Sequence, residues 1–299
     1  MKRAAIMIAV PGAVLGAVLA MCGWSLGQSN DKPAAQNPPA GQAAPPAGQA
    51  AAPAGKRPPK VNSQEEFTAY KAAAALTDAP GLEKASDDFA AKYPESELRP
   101  LLYRSAMQRY QQANSGDKML EMAKKVVAID PDDPEALVGI AQVLAERTRD
   151  TDLDRDQRIA EARKDAERAL TTVDTDIPTS GYPPDQLSAY KGFLRSEAYA
   201  VLGKLSSDAK SWAEAETSLR KSIDAFPQQV DSIAVLRLAV ALDMQNKIPE
   251  ALKFADQAVE LTKDRPDSGA GKAARDEKDR LTKLSVGTAP GPTSTPPKP

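Results

Sequence analysis

The side chains that could carry chemistry in this 299-residue chain are few. There is no histidine, and the one cysteine is Cys22. Without an imidazole there can be no Ser-His or Cys-His relay, no histidine-bound zinc, and no side chain that titrates near neutrality at its ordinary pKa. The densest set of oxygen donors is Asp150, Asp152 and Asp154, with Glu161 eleven residues after Asp150. That spacing mimics a helix-flanked calcium loop, but such a loop turns on a glycine where Arg155 stands. Arg147, Arg149, Arg155 and Arg158 nearly neutralise the acids. The stretch therefore reads as a solvated loop with an Asp cap on the next helix, Ca2+ binding being the alternative. Asp87 beside Asp88 and Asp132 beside Asp133 are neighbours in sequence, which suits caps and turns better than an acid and a base facing each other across a cleft. Gly269-Ala270-Gly271-Lys272 lacks the strand that precedes a phosphate loop. These residues give no reason to expect an enzyme, a cofactor or a resident metal. The formal charge of −2 gives no electrostatic reason to expect a nucleic acid partner.

The segments that would carry these residues differ sharply in composition. Lys2 and Arg3 precede an uncharged run from Ala4 to Asn30, with Ser25-Leu26-Gly27 offering small residues for cleavage before Gln28. Residues 1–27 thus read as an export signal. The same run is close to the ~20 residues that span a bilayer, so an uncleaved anchor at residues 4–26 stays open. Leu19-Ala20-Met21-Cys22 resembles a lipidation site with Met21 where a small residue belongs. Each reading places the rest of the chain outside the cytoplasm, in the periplasm or cell envelope, with membrane contact only through the N-terminal segment. Once residues 1–27 are removed no cysteine remains, so neither disulfides nor thiolate ligands are expected.

From Gln28 to Lys60, 25 of 33 residues are Ala, Pro, Gly or Gln, and a seven-residue unit starts at Pro39, Pro46 and Pro53. A segment with few donors and no large apolar side chain cannot form a core, so residues 28–60 are expected to be a disordered linker. Residues 286–299 read as a disordered tail. Between them, apolar residues recur at i, i+3, i+4 and i+7 while alternating β-branched runs are missing, so residues 61–285 form an all-α domain. Helices are predicted at about 63–77, 82–93, 97–113, 117–129, 134–148, 156–173, 185–205, 209–225, 230–245, 248–263 and 270–284.

A helix-pair sequence is tested first for an internal period. Val235, Leu238, Ala239, Leu242, Ala251, Ala255 and Ala258 stand at the spacings of large and small residues in a tetratricopeptide repeat (TPR). Tyr103, Ala106, Met107, Tyr110, Met119, Ala123 and Val126 fall in the same frame. So do Leu137, Ile140, Ala141 and Leu144 with Ala162, Ala166 and Ala169, and Leu194, Ala198 and Val201 with Leu219. Phe89-Ala90-Ala91-Lys92-Tyr93-Pro94-Glu95-Ser96 ends the first pair. The chain resembles the TPR family of the exported bacterial cell-envelope type. That resemblance implies a right-handed α-solenoid of about five helix pairs plus a C-terminal capping helix.

It also implies an inner groove lined by the first helix of each pair, and hence a protein-binding scaffold. Carried over residue by residue, the groove positions are Arg104, Gln108, Gln112, Val138, Gln142, Glu146, Arg195, Tyr199, Leu236, Val240 and Met244. Tyr199 and Arg195 are the candidate anchors for a protein or peptide partner, since Tyr and Arg are common in binding hot spots. The chaperone-type carboxylate clamp expects Asn on this face, and none of these positions carries one. A structural or self-associating spacer, and a Ca2+ or small-molecule binding module, are the alternative functions.

Overall fold

The computed structural model describes residues 55–178 and 182–287. The expected signal or anchor at 1–27, most of the linker and the tail from residue 288 lie outside the described residues. Those described form eleven helices and no strand: α1 (Gln64–Ala74), α2 (Ala79–Lys92), α3 (Arg99–Gln112), α4 (Gly116–Ile129), α5 (Pro134–Arg147), α6 (Arg155–Thr172), α7 (Pro184–Asp208), α8 (Trp212–Ala225), α9 (Ser232–Asp243), α10 (Ile248–Leu261) and α11 (Gly269–Gly287). Among the described residues none of these helices is long and apolar enough to cross a membrane.

The starts of the helices are written in the sequence. Ser63 and Glu66 close a reciprocal capping box on α1, and Asp78, Asp133 and Asp231 accept backbone N–H bonds at the starts of α2, α5 and α9. Proline stands in the first turn of α2, α3, α5, α7 and α10, where its missing donor has no partner to lose.

Each helix packs on the next, which makes five antiparallel pairs with α11 laid over α9 and α10. Within the odd-numbered set α1 also touches α3, α5 touches α7, α7 touches α9 and α9 touches α11. Even-numbered helices approach one another less closely and are joined by long charged side chains, as in Lys125–Asp87, Lys124–Glu161 and Arg220–Glu250. The odd helices thus form the inner, tighter layer of a curved stack, and the even ones spread along the outside. Small residues make the close approaches: Ala106, Ala123, Ala141, Ala166, Ala239, Ala251 and Ala258 are all buried.

Three differences from the sequence reading stand out. α7 runs to Asp208, beyond the expected end at 205, because nothing between Leu205 and Asp208 breaks a helix. α11 runs to Gly287, two residues into the stretch read as tail. Finally, Lys56 and Arg57, assigned to the linker, are held against the helical body by ion pairs.

Candidate partner-binding groove

The inner layer is crossed by side-chain bridges between successive odd helices. Asp133 caps α5 by accepting from the Ala136 N–H at 2.9 Å, and its carboxylate also receives Arg104 of α3. Glu135, the second residue of α5, lies 3.7 Å from Arg104 Nε and accepts from the Gln108 amide at 2.7 Å and from the Tyr190 hydroxyl of α7. Burial pushes the Glu135 carboxyl up despite the pull of Arg104, and pushes the Tyr190 hydroxyl up as well. Farther along, the Gln142 amide of α5 donates to Glu197 of α7, and Glu146 receives Arg237 of α9 at 2.9 Å. One bridge thus spans from the third pair to the fifth.

Several residues placed in the groove by spacing are therefore brought together: Arg104, Gln108, Gln142 and Glu146 all take part in these bridges. Gln112 is exposed at the end of α3. Val138 is buried, packed with Leu137, Ala169 and Ala198, and offers nothing to a ligand.

In the fourth pair a different face of α7 turns inward. α8 lies against Gly192, Ser196 and Gly203: a Cβ on Gly192 would sit 2.7 Å from the Ala225 carbonyl oxygen, and Ser196 Oγ is 3.3 Å from Ser222 Oγ. Leu194, Ala198 and Val201, which set the sequence frame, pack instead on the preceding pair. Tyr190 and Glu197 consequently face α5. Arg195 reaches Asp174 beyond the end of α6 at 2.5 Å, and Tyr199 packs on the core with the Lys221 ammonium 5.4 Å from its ring centre. The sequence reading missed Tyr190 and Glu197 because it set the frame by the large apolar side chains of α7, whereas the α7–α8 seam is made by two glycines and a serine. That glycine-serine spacing was the signal available.

Glu197 is the unusual group of this layer. It is half-buried, its one hydrogen-bond partner is Gln142, and no cation pairs with it among the described residues. Burial, with Asp231 nearby, pushes its carboxyl up to about 7, and the Gln142 amide only partly opposes this. On α9, Leu236 and Val240 are half-buried and Met244 is 53% exposed, which leaves an apolar stripe four residues apart.

The four acids of the calcium alternative are not gathered at one point. Asp150 pairs with Arg155 at 3.3 Å, Asp152 with Arg158 at 3.7 Å and Glu161 with Lys124 at 3.3 Å, so the carboxylates point to separate cations. Asp154 is the N-terminal flank of α6, and among the described residues no three acidic side chains converge on one point. The loop's Leu153 is fully exposed. No protein-family model matches the chain, and comparison with curated proteins gives no match.

Proposed function

We propose that this chain is a non-enzymatic protein-interaction scaffold whose inner layer of odd helices receives a segment of a partner protein. The observation that carries the proposal is Glu197, a half-buried carboxylate in the inner layer with one neutral partner and no cation. A desolvated carboxylate of this kind favours a basic side chain brought by a ligand, because the added charge restores the interaction that burial removed. Val240 and Met244, farther along α9, would supply apolar contact at a distance from it, as in other grooves that bind peptides. The TPR-like spacing supports the same reading. The export-signal pattern of residues 1–27 would put the scaffold in the periplasm or cell envelope, joined to its anchor or released through the Pro/Ala-rich linker.

The test is photo-crosslinking in the source cells with a probe at position 244. A matched probe at position 284 on α11, where Leu284 is 42% exposed, serves as control. One protein captured from 244 and absent from 284, and lost when Glu197→Lys is added, is the expected result. Equal capture from both positions would reject the groove. Capture of the chain by itself from both would support the self-associating spacer.

A further inference from the structure

The segment Gly55–Lys60 does not hang free of the helical body. Arg57 forms a fork with Glu97, at 2.7 Å from Nη1 and 2.6 Å from Nη2, and the Lys60 backbone N–H donates to the same carboxylate at 2.8 Å. The Lys56 ammonium reaches Asp130 and, at 3.1 Å, Asp176. These acids come from three successive connections: Glu97 between α2 and α3, Asp130 between α4 and α5, and Asp176 between α6 and α7. The three connections therefore form one acidic edge of the stack, along which the segment runs backward from the first pair to the third.

The edge is more than a cluster of acids, because an ammonium already occupies it. Lys56 is half-buried there, and its ordinary charge is reinforced by the two carboxylates although burial opposes this. Asp176 responds in the opposite way: burial and the neighbouring Asp130 and Asp133 raise it, while Lys56 pulls it down. One ammonium shared by two carboxylates leaves the notch still negative. Pro58 and Pro59 follow Lys56 and Arg57, fixing the backbone in the extended form that lets two adjacent basic side chains reach different loops.

We propose that this edge is a docking track for a basic, proline-flanked extended segment, and that the chain fills it with its own Gly55–Lys60. Docking in cis ties the first three pairs together at their loops and fixes where the preceding sequence leaves the body. It also bars the acidic edge to other basic segments.

The test uses zero-length carbodiimide crosslinking of the full chain, made as a mixture of 14N- and 15N-labelled protein, followed by peptide mass spectrometry. Crosslinks from Lys56 to Asp130 or Asp176 joining like isotopes are expected. Crosslinks joining unlike isotopes would overturn occupancy in cis and assign the track to a second copy, and Lys56 linked only elsewhere would overturn the track. In parallel, Lys56→Ala is expected to speed hydrogen exchange at the Asp133 and Asp176 amides about threefold, the size that a partly exposed ion pair supplies. Unchanged exchange at both amides would reject the strap as a tie between the loops.

Discussion

Glu197 gives the inner layer a measurable acid response. Its carboxyl is pushed up to about 7 by burial and by Asp231, against roughly 4.3 in an unfolded chain. Between those values the folded state binds more protons than the unfolded one, so stability rises as pH falls from about 8 toward about 4.5. Asp165, pushed up to about 6 by burial beside Glu161, adds to the same slope. Below that window the sign reverses. Glu97, held at about 2 mainly by Arg57, loses its contribution as pH falls through its own range, and Glu66 and Glu83 are lowered as well. Glu197→Gln keeps a partner for Gln142 and removes the charge. It is expected to raise stability at pH 8 by about 1–3 kcal/mol and to shrink, without abolishing, the gain between pH 8 and 5. Urea midpoints of both proteins at the two pH values check this. An unaltered slope would mean that Glu197 is solvated.

Among the elements, the turns inside the pairs show what composition conveys and what it hides. Asn114, Lys210 and Asn246 have φ of 54°, 60° and 60°, each just past the end of an odd helix. In each turn the next N–H closes a bond to a carbonyl five residues back: Ser115 to Tyr110, Ser211 to Ser206, and Lys247 to Leu242. This is the left-handed helix stop usually made by glycine or asparagine, and lysine is the poor choice of the three. Lys210→Gly is therefore expected to raise stability by about 0.5–1 kcal/mol, read as a higher urea midpoint. The α7–α8 seam gives a second contrast. Gly192→Ala would press a methyl to 2.7 Å from the Ala225 backbone oxygen, which cannot yield, so a loss of about 1–3 kcal/mol is expected. Gly139→Ala meets the flexible Met107 and Met119 side chains at 3.2–3.3 Å and Ala123 Cβ at an ordinary 3.9 Å, and should be near neutral or gain from helix propensity. Thermal melts of the two variants make the comparison. Helix positions were legible because Asp, Ser and Pro mark their starts and the apolar period fills them. The inward face of α7 was not, since Gly192, Ser196 and Gly203 carry no hydrophobic signal, and bridges such as Arg237 to Glu146 join residues 91 positions apart.

At the scale of the whole molecule, the buried apolar residues fall into unequal blocks. The largest runs from Ala73 in α1 to Leu205 in α7, and a second from Ala215 in α8 to Leu281 in α11. Their boundary lies between α7 and α8, where Gly192, Ser196 and Gly203 bring the backbones close, Gly203 receives the Leu219 side chain and the Phe193 ring meets that of Phe226 edge-on. A stack in which each pair touches mainly its neighbours need not unfold as one unit, and the break between two apolar blocks is where cooperativity should be weakest. Ala251, fully buried in the second block, provides the means to test this. Ala251→Phe overpacks α9 against α10 and should cost the fifth pair about 1–3 kcal/mol. If the blocks are separable, amides in α9, α10 and α11 should exchange faster by roughly tenfold for each 1.4 kcal/mol, while those in α3, α4 and α5 keep their wild-type rates. Faster exchange of equal size in both blocks would show that the α7–α8 seam and the Glu146–Arg237 bridge bind the stack into one cooperative unit. In that case a partner engaging Glu197 and the α9 stripe would stiffen the whole solenoid, whereas separable blocks would confine its effect to the C-terminal pairs and α7.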